Sequence, residues 1–174
     1  MVNVRPPIPP VEETTRSPGR FNVLLAQERT QSQQPWAQQL GQLLEPQGVR
    51  AYVAYTGREA LATVDQVVFH AAVVDLATPR DAADRAGEPE PGGLWLLELM
   101  HRRQFRTPVV VVDSRPVAGR DLERALNRAL KLGAFTVVSR PRTAESVLAA
   151  VQRIIERRYR GRWPSPEPPP SHEP

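Results

Sequence analysis

The sequence predicts an α/β domain in which a five-stranded parallel sheet carries helices on both faces. Three observations support this. Short apolar runs alternate with stretches of helical period, the rhythm of β–α units. One run, Pro108-Val-Val-Val-Val112, is almost wholly β-branched, as strands buried on both faces are. Another, His70-Ala-Ala-Val-Val-Asp75, is apolar until it closes on a carboxylate, and Leu76-Ala-Thr-Pro79 follows as a loop. Such a strand places its acid at the carboxyl edge of the sheet, where open α/β folds put ligands and chemistry.

Each element has its own signal. Phe21–Ala26 reads as the first strand. Polar residues from Gln27 to Gln34 lead to Pro35, a good first helical residue. Trp36, Leu40, Leu43 and Leu44 then mark one helix face, and Pro46 and Gly48 stop it. Arg50–Tyr55 is the second strand. Thr56-Gly-Arg-Glu59 has capping-box spacing and opens a helix with Leu61, Val64 and Val68 inward. After the third strand, His70–Asp75, residues 76–93 hold three Pro and three Gly among charges and read as a long, exposed, mobile loop. Leu94–Met100 starts a third helix, and 108–112 is the fourth strand. Leu122, Ala125, Leu126 and Ala129 line a fourth helix that Gly133 ends. Ala134–Ser139 is the fifth strand. Arg140-Pro141 breaks the chain, and Thr143 caps a last helix with Val147, Leu148, Val151, Ile154 and Ile155 on one face. Right-handed crossovers favour the doubly wound, flavodoxin-like strand order 2-1-3-4-5. In that order Asp75 and the loop after Ala26 face one crevice.

Composition sets the limits. The chain has 174 residues, 40% apolar, enough for one domain with a real core over residues 21–160. Residues 1–20 and 161–174 are Pro-rich and lack apolar period, so they read as disordered tails. Cysteine is absent, which excludes disulfides, thiolate metal sites and thiol nucleophiles. No run is long and apolar enough to span a membrane, and the N-terminus lacks the apolar core of a secretory signal. A cytoplasmic protein is expected. Net charge is +4, carried by Arg, since Lys131 is the only Lys.

Val74-Asp75-Leu76-Ala-Thr-Pro79, Pro108–Val112 and Ala129-Leu-Lys-Leu-Gly-Ala134 through Arg140-Pro141 give residues 21–158 their character. In this they resemble the receiver domain of two-component response regulators. The resemblance implies that Asp75 accepts a phosphoryl group from a histidine kinase. It also implies Mg²⁺, held by an acidic pair after the first strand and by Asp75. That pair falls on Gln27-Glu28, so one acid is kept. The family's hydroxyl residue at the end of strand four falls on Asp113, with Ser114 next. Its Lys before Pro falls on Arg140, and its aromatic switch position on Val137. About ten extra residues, around Arg80–Pro91, follow the acceptor loop.

These departures fall on the chemistry. Phosphoryl transfer to a carboxylate needs in-line geometry and cations on the equatorial oxygens. Mg²⁺ takes oxygen ligands in a near-octahedral shell. Asp113, ionised, repels a phosphoryl group that a hydroxyl would bind. Alternatively it completes a Glu28, Asp75 and Asp113 metal cluster. Arg140 replaces a compact ammonium with a planar fork, suited to a phosphate or to a salt bridge with Asp75 or Asp113. Val137 removes the aromatic readout.

Two readings of the fold stay open at this point. Either Asp75 is phosphorylated in a phosphorelay with Glu28 holding Mg²⁺, or the domain is a docking module that is not phosphorylated. Both act through protein partners. A third reading, a small nucleic-acid-binding protein using the Arg-rich last helix, rests only on Arg153, Arg157, Arg158, Arg160 and Arg162 with Tyr159 and Trp163. His70, His101 and His172 lack metal-ligand spacing. No P-loop, dinucleotide fingerprint, nucleophile elbow or HExxH motif is present, so an autonomous enzyme is not expected.

Overall fold

The structure is a computed structural model. It describes residues 21–29, 36–83, 92–115, 119–139 and 144–159. Both tails, most of the 80–91 insertion, and Arg140 lie outside the described residues.

Strands and helices alternate along the chain. They are β1 (Phe21–Ala26), α1 (Trp36–Leu44), β2 (Val49–Ala54), α2 (Gly57–Val64), β3 (Ala71–Asp75), α3 (Gly92–Arg102), β4 (Val109–Asp113), α4 (Arg120–Lys131), β5 (Thr136–Ser139) and α5 (Ala144–Tyr159). All neighbouring strands are parallel, in the order β2-β1-β3-β4-β5. The predicted sheet and strand order are those observed.

Side-chain alternation splits the core into two layers. Phe21, Val23, Leu25, Val73, Val110 and Val112 pack under α1 and α5 with Leu40, Leu44, Val151 and Ile154. Leu24, Ala26, Val74, Val109 and Val111 pack under α2, α3 and α4 with Leu61, Leu97 and Met100. β3 and β4 are buried along their whole length, as expected of a strand covered on both faces.

Local chemistry accounts for the element ends. Thr56 caps α2: its Oγ1 accepts from Glu59 N at 3.1 Å, while Glu59 Oε2 accepts from Tyr55 N at 2.7 Å. The side chain thus reaches one residue further back than in an ideal box. Gly133, after α4, adopts φ 91°, a backbone that favours glycine. Two residues depart from the expected helix faces. Leu43 is exposed on α1, and Val68 lies beyond the end of α2 with 77% exposure. Both follow helical spacing in sequence but lie where the helix turns outward or has already ended.

The loop after β3 also differs from expectation over its described part. Leu76 and Thr78 are fully buried. Pro79 O accepts from Gly57 N at 2.8 Å, and Arg80 O from Arg58 N at 3.2 Å, so residues 79–80 dock on the first turn of α2. The Arg80 guanidinium lies 5.1 Å from the Trp95 ring, and Arg58 pairs with Asp81. Charge and proline made this segment read as mobile; its backbone is instead used to satisfy the free N–H groups of α2. Among the described residues no helix is long and apolar enough to cross a membrane.

Candidate functional site

β3 delivers Asp75 to the carboxyl edge of the sheet, 2% exposed. Alternation sends its side chain to the α1/α5 face, the side of Val73 and of its lateral neighbour Val112. Three N–H groups meet it there. Trp36 Nε1, on the first residue of α1, donates to Oδ2 at 3.2 Å. Ala77 N donates to Oδ1 at 2.9 Å and Ser114 N to the same oxygen at 3.3 Å. The Ser114 side chain lies close enough to lower the Asp75 pKa as well.

Burial dominates the electrostatics. It raises the Asp75 pKa above the ordinary carboxylate value, and the bonds from Ser114, Ala77 and Trp36 pull it back only in part. Desolvation, not a neighbouring like charge, is the cause of the rise.

The backbone around Asp75 is tightly packed as well. Thr78 N donates to Asp75 O at 3.0 Å. A Cβ on Gly93 would collide with that same carbonyl and with Leu76 Cα, and one on Gly92 would collide with Thr78 O and Arg80 N. The Gly92-Gly93 pair lets α3 begin directly against the Asp75 loop.

Asp113 ends β4 next to Asp75 but takes the other parity of alternation. It falls on the side of Val109 and Val111, under α2–α4. There it is 1% exposed and clamped by Arg115: Nε to Oδ1 at 2.8 Å, Nη2 to Oδ2 at 2.8 Å, and Arg115 N to Oδ1 at 3.2 Å. This bidentate fork gives each carboxylate oxygen a charged partner.

Gln27 follows β1 on the α1/α5 face and is 2% exposed. Its Oε1 accepts from Ala37 N at 3.3 Å, holding the start of α1. Its Nε2 is buried without a partner among the described residues. Glu28, the next residue, is partly exposed.

The expected cluster of Glu28, Asp75 and Asp113 does not assemble. Among the described residues no three His, Cys, Asp or Glu side chains are grouped to hold a metal. The donor set does not fit a receiver-type Mg²⁺ shell. Both Asp75 oxygens accept N–H bonds, Asp113 is held by Arg115, and the Gln27 oxygen is engaged by Ala37. Arg140 lies outside the described residues, and Val137 is a half-buried residue of β5 packed against the α2–α4 layer. His70 is satisfied: its Nδ1 accepts from Asn22 N at 3.0 Å and its ring stacks on Phe21.

Two contributors were missed in the sequence. Trp36 fits the apolar stripe of α1, and only its place at the helix start hints at a second role. Arg115 stands two residues after Asp113, a spacing with no motif of its own.

No family model matches this sequence, and no curated protein matches it. Solved structures do match its shape. The receiver domain of a Francisella response regulator aligns with a TM-score of 0.60 at 21% identity, covering 79% of this chain and 98% of its own. A CheY-like receiver domain protein from Methanospirillum hungatei aligns at 0.63 and 19% identity, covering 83% and 100%. A chemotaxis response regulator of Vibrio cholerae aligns at 0.57 and 19% identity, covering 78% and 98%. The chain therefore has the fold of CheY-like response regulator receiver domains, with Asp75 at the end of the third strand of that fold.

Proposed function

We propose that this protein is a signal-transduction module of receiver fold that works by protein–protein contact, with Asp75 serving as a fixed structural centre. The observation that carries this reading is the shell around Asp75. Trp36, Ala77 and Ser114 donate three N–H bonds to the two carboxylate oxygens, which fix the carboxylate in place and draw charge from it. Attack on a phosphodonor would have to come from an oxygen that already accepts a hydrogen bond. It would also require cations for the equatorial oxygens. Among the described residues Arg115, two positions after Asp113, is committed to that carboxylate.

Phosphorylation of Asp75 by a histidine kinase, with Mg²⁺ held by Glu28 and Asp75, is the competing reading. One observation favours it: the Ser114 hydroxyl reaches Asp75, supplying one residue late the hydroxyl that Asp113 replaces. Nucleic-acid binding has less support. Arg153, Arg157 and Arg158 are exposed on α5, but Glu156 interrupts them, and among the described residues only the half-buried Tyr159 lies near them in sequence.

Incubation with a small acyl phosphate and Mg²⁺, followed by intact mass measurement, separates the two readings. The docking module gains no phosphoryl mass. A gain that Asp75→Asn abolishes would establish the phosphorelay reading.

A further inference from the structure

We propose that a groove at the opposite end of the sheet from Asp75 is a docking site for this chain's own segment 161–167, with Trp163 as its anchor. The groove encloses about 540 Å³ between the C-terminal ends of α3 and α4. Leu97, Met100, Phe105, Val109 and Leu132 form its apolar walls. His101, Arg102 and Arg106 edge it, and no acidic residue lines it. None of these three basic side chains has an ion pair among the described residues. An apolar floor with a cationic edge suits an aromatic side chain followed by carboxylates.

The chain supplies that chemistry close by. α5 runs back along the sheet and ends at its base. There the Tyr159 hydroxyl donates to His70 O at 2.7 Å, and the Tyr159 ring packs edge-on against Phe21. One residue before His70, Phe69 O accepts from Thr107 Oγ1 at 3.0 Å, and Thr107 lines the groove. The end of α5 and the groove edge are thus joined through two adjacent residues. Trp163 lies four positions beyond Tyr159, a span of up to about 14 Å when extended, and the indole adds its own reach. Arg162 stands just before the anchor, and from Trp163 onward the sequence holds Glu167 and Glu173 but no Lys or Arg. Its prolines restrict the free segment, which lowers the entropy lost on docking. A groove of this volume admits an indole with its neighbouring prolines.

Nuclear magnetic resonance on the full chain tests the proposal. Trp163→Ala should shift the amide signals of Thr107, Leu132 and Gly133 and leave those of α1 in place. Indole-to-methyl proximity signals should connect Trp163 to Leu97, Met100 or Leu132. The exposed double change Arg102→Glu with Arg106→Glu should abolish those signals. Unmoved groove amides in Trp163→Ala would overturn the proposal. So would contacts that appear only as concentration rises, because a neighbouring copy would then be the donor.

Discussion

Trp36 Nε1 donates to Asp75 Oδ2 at 3.2 Å across 39 residues of sequence. This bond ties the first residue of α1 to the last residue of β3. It places an indole where a free carboxylate edge would otherwise face solvent. The most informative acid of the chain is thereby turned toward the protein's own backbone and ring donors.

Removing that donor should be costly out of proportion to the change in volume. Trp36→Phe keeps an aromatic ring but leaves Oδ2 of a buried carboxylate without its partner. Hydrogen bonds to charged groups contribute about 1.5–3 kcal/mol, so a loss of about 2 kcal/mol is expected in urea denaturation. The Asp75 pKa should rise further in the same variant, as followed by its carboxyl carbon resonance.

Asp75 also predicts a direction for pH. Its folded pKa is raised above the unfolded value, so folding favours its protonated form. Its contribution is fully present below the unfolded pKa and is lost as pH rises through the folded one. Relative to Asp75→Asn, the wild type should therefore gain stability as pH falls from neutral into the acid range. Denaturation midpoints of the two proteins at several pH values measure this. A constant difference would contradict it.

Arg115→Ala should destabilise strongly although Arg115 is near the surface. It leaves Asp113 buried and unpaired, a situation that costs about 3–5 kcal/mol when a buried pair is broken. Asp113→Asn in the same background should recover much of the loss, because the charge is removed. A double-mutant cycle by urea denaturation gives the coupling.

Gly93→Ala should destabilise despite alanine's higher helix propensity. A Cβ at that position meets the Asp75 carbonyl, and overpacking of this kind costs about 1–3 kcal/mol. Thermal or urea denaturation checks the sign, since propensity alone would stabilise by about 1 kcal/mol.

The five β–α units were legible because each carries redundant local signals. Pro108–Val112 is a strand by side-chain branching alone, and Thr56 with Glu59 marks a helix start by capping chemistry. The position of Asp75 followed from the same patterns. Its surroundings did not, because they depend on contacts between residues far apart in sequence. Trp36 reaches the site only once α1 is docked, through Gln27 Oε1 and Ala37 N among other contacts. Asp113 was assigned to the Asp75 crevice from its strand end. The parity of β4, Val110 and Val112 on one face and Val111 on the other, already sends it to the opposite side. The segment after Asp75 looked mobile from composition, yet its buried Thr78 and its carbonyl bonds to α2 come from tertiary packing.

On the proposed docking-module reading, protein donors hold the Asp75 carboxylate and it binds no divalent cation. The thermal midpoint of the full chain with and without millimolar Mg²⁺ tests it most directly, since any ligand of the folded state raises that midpoint by mass action. An unmoved midpoint is expected. A rise with Mg²⁺ that disappears in Asp75→Asn would contradict the claim.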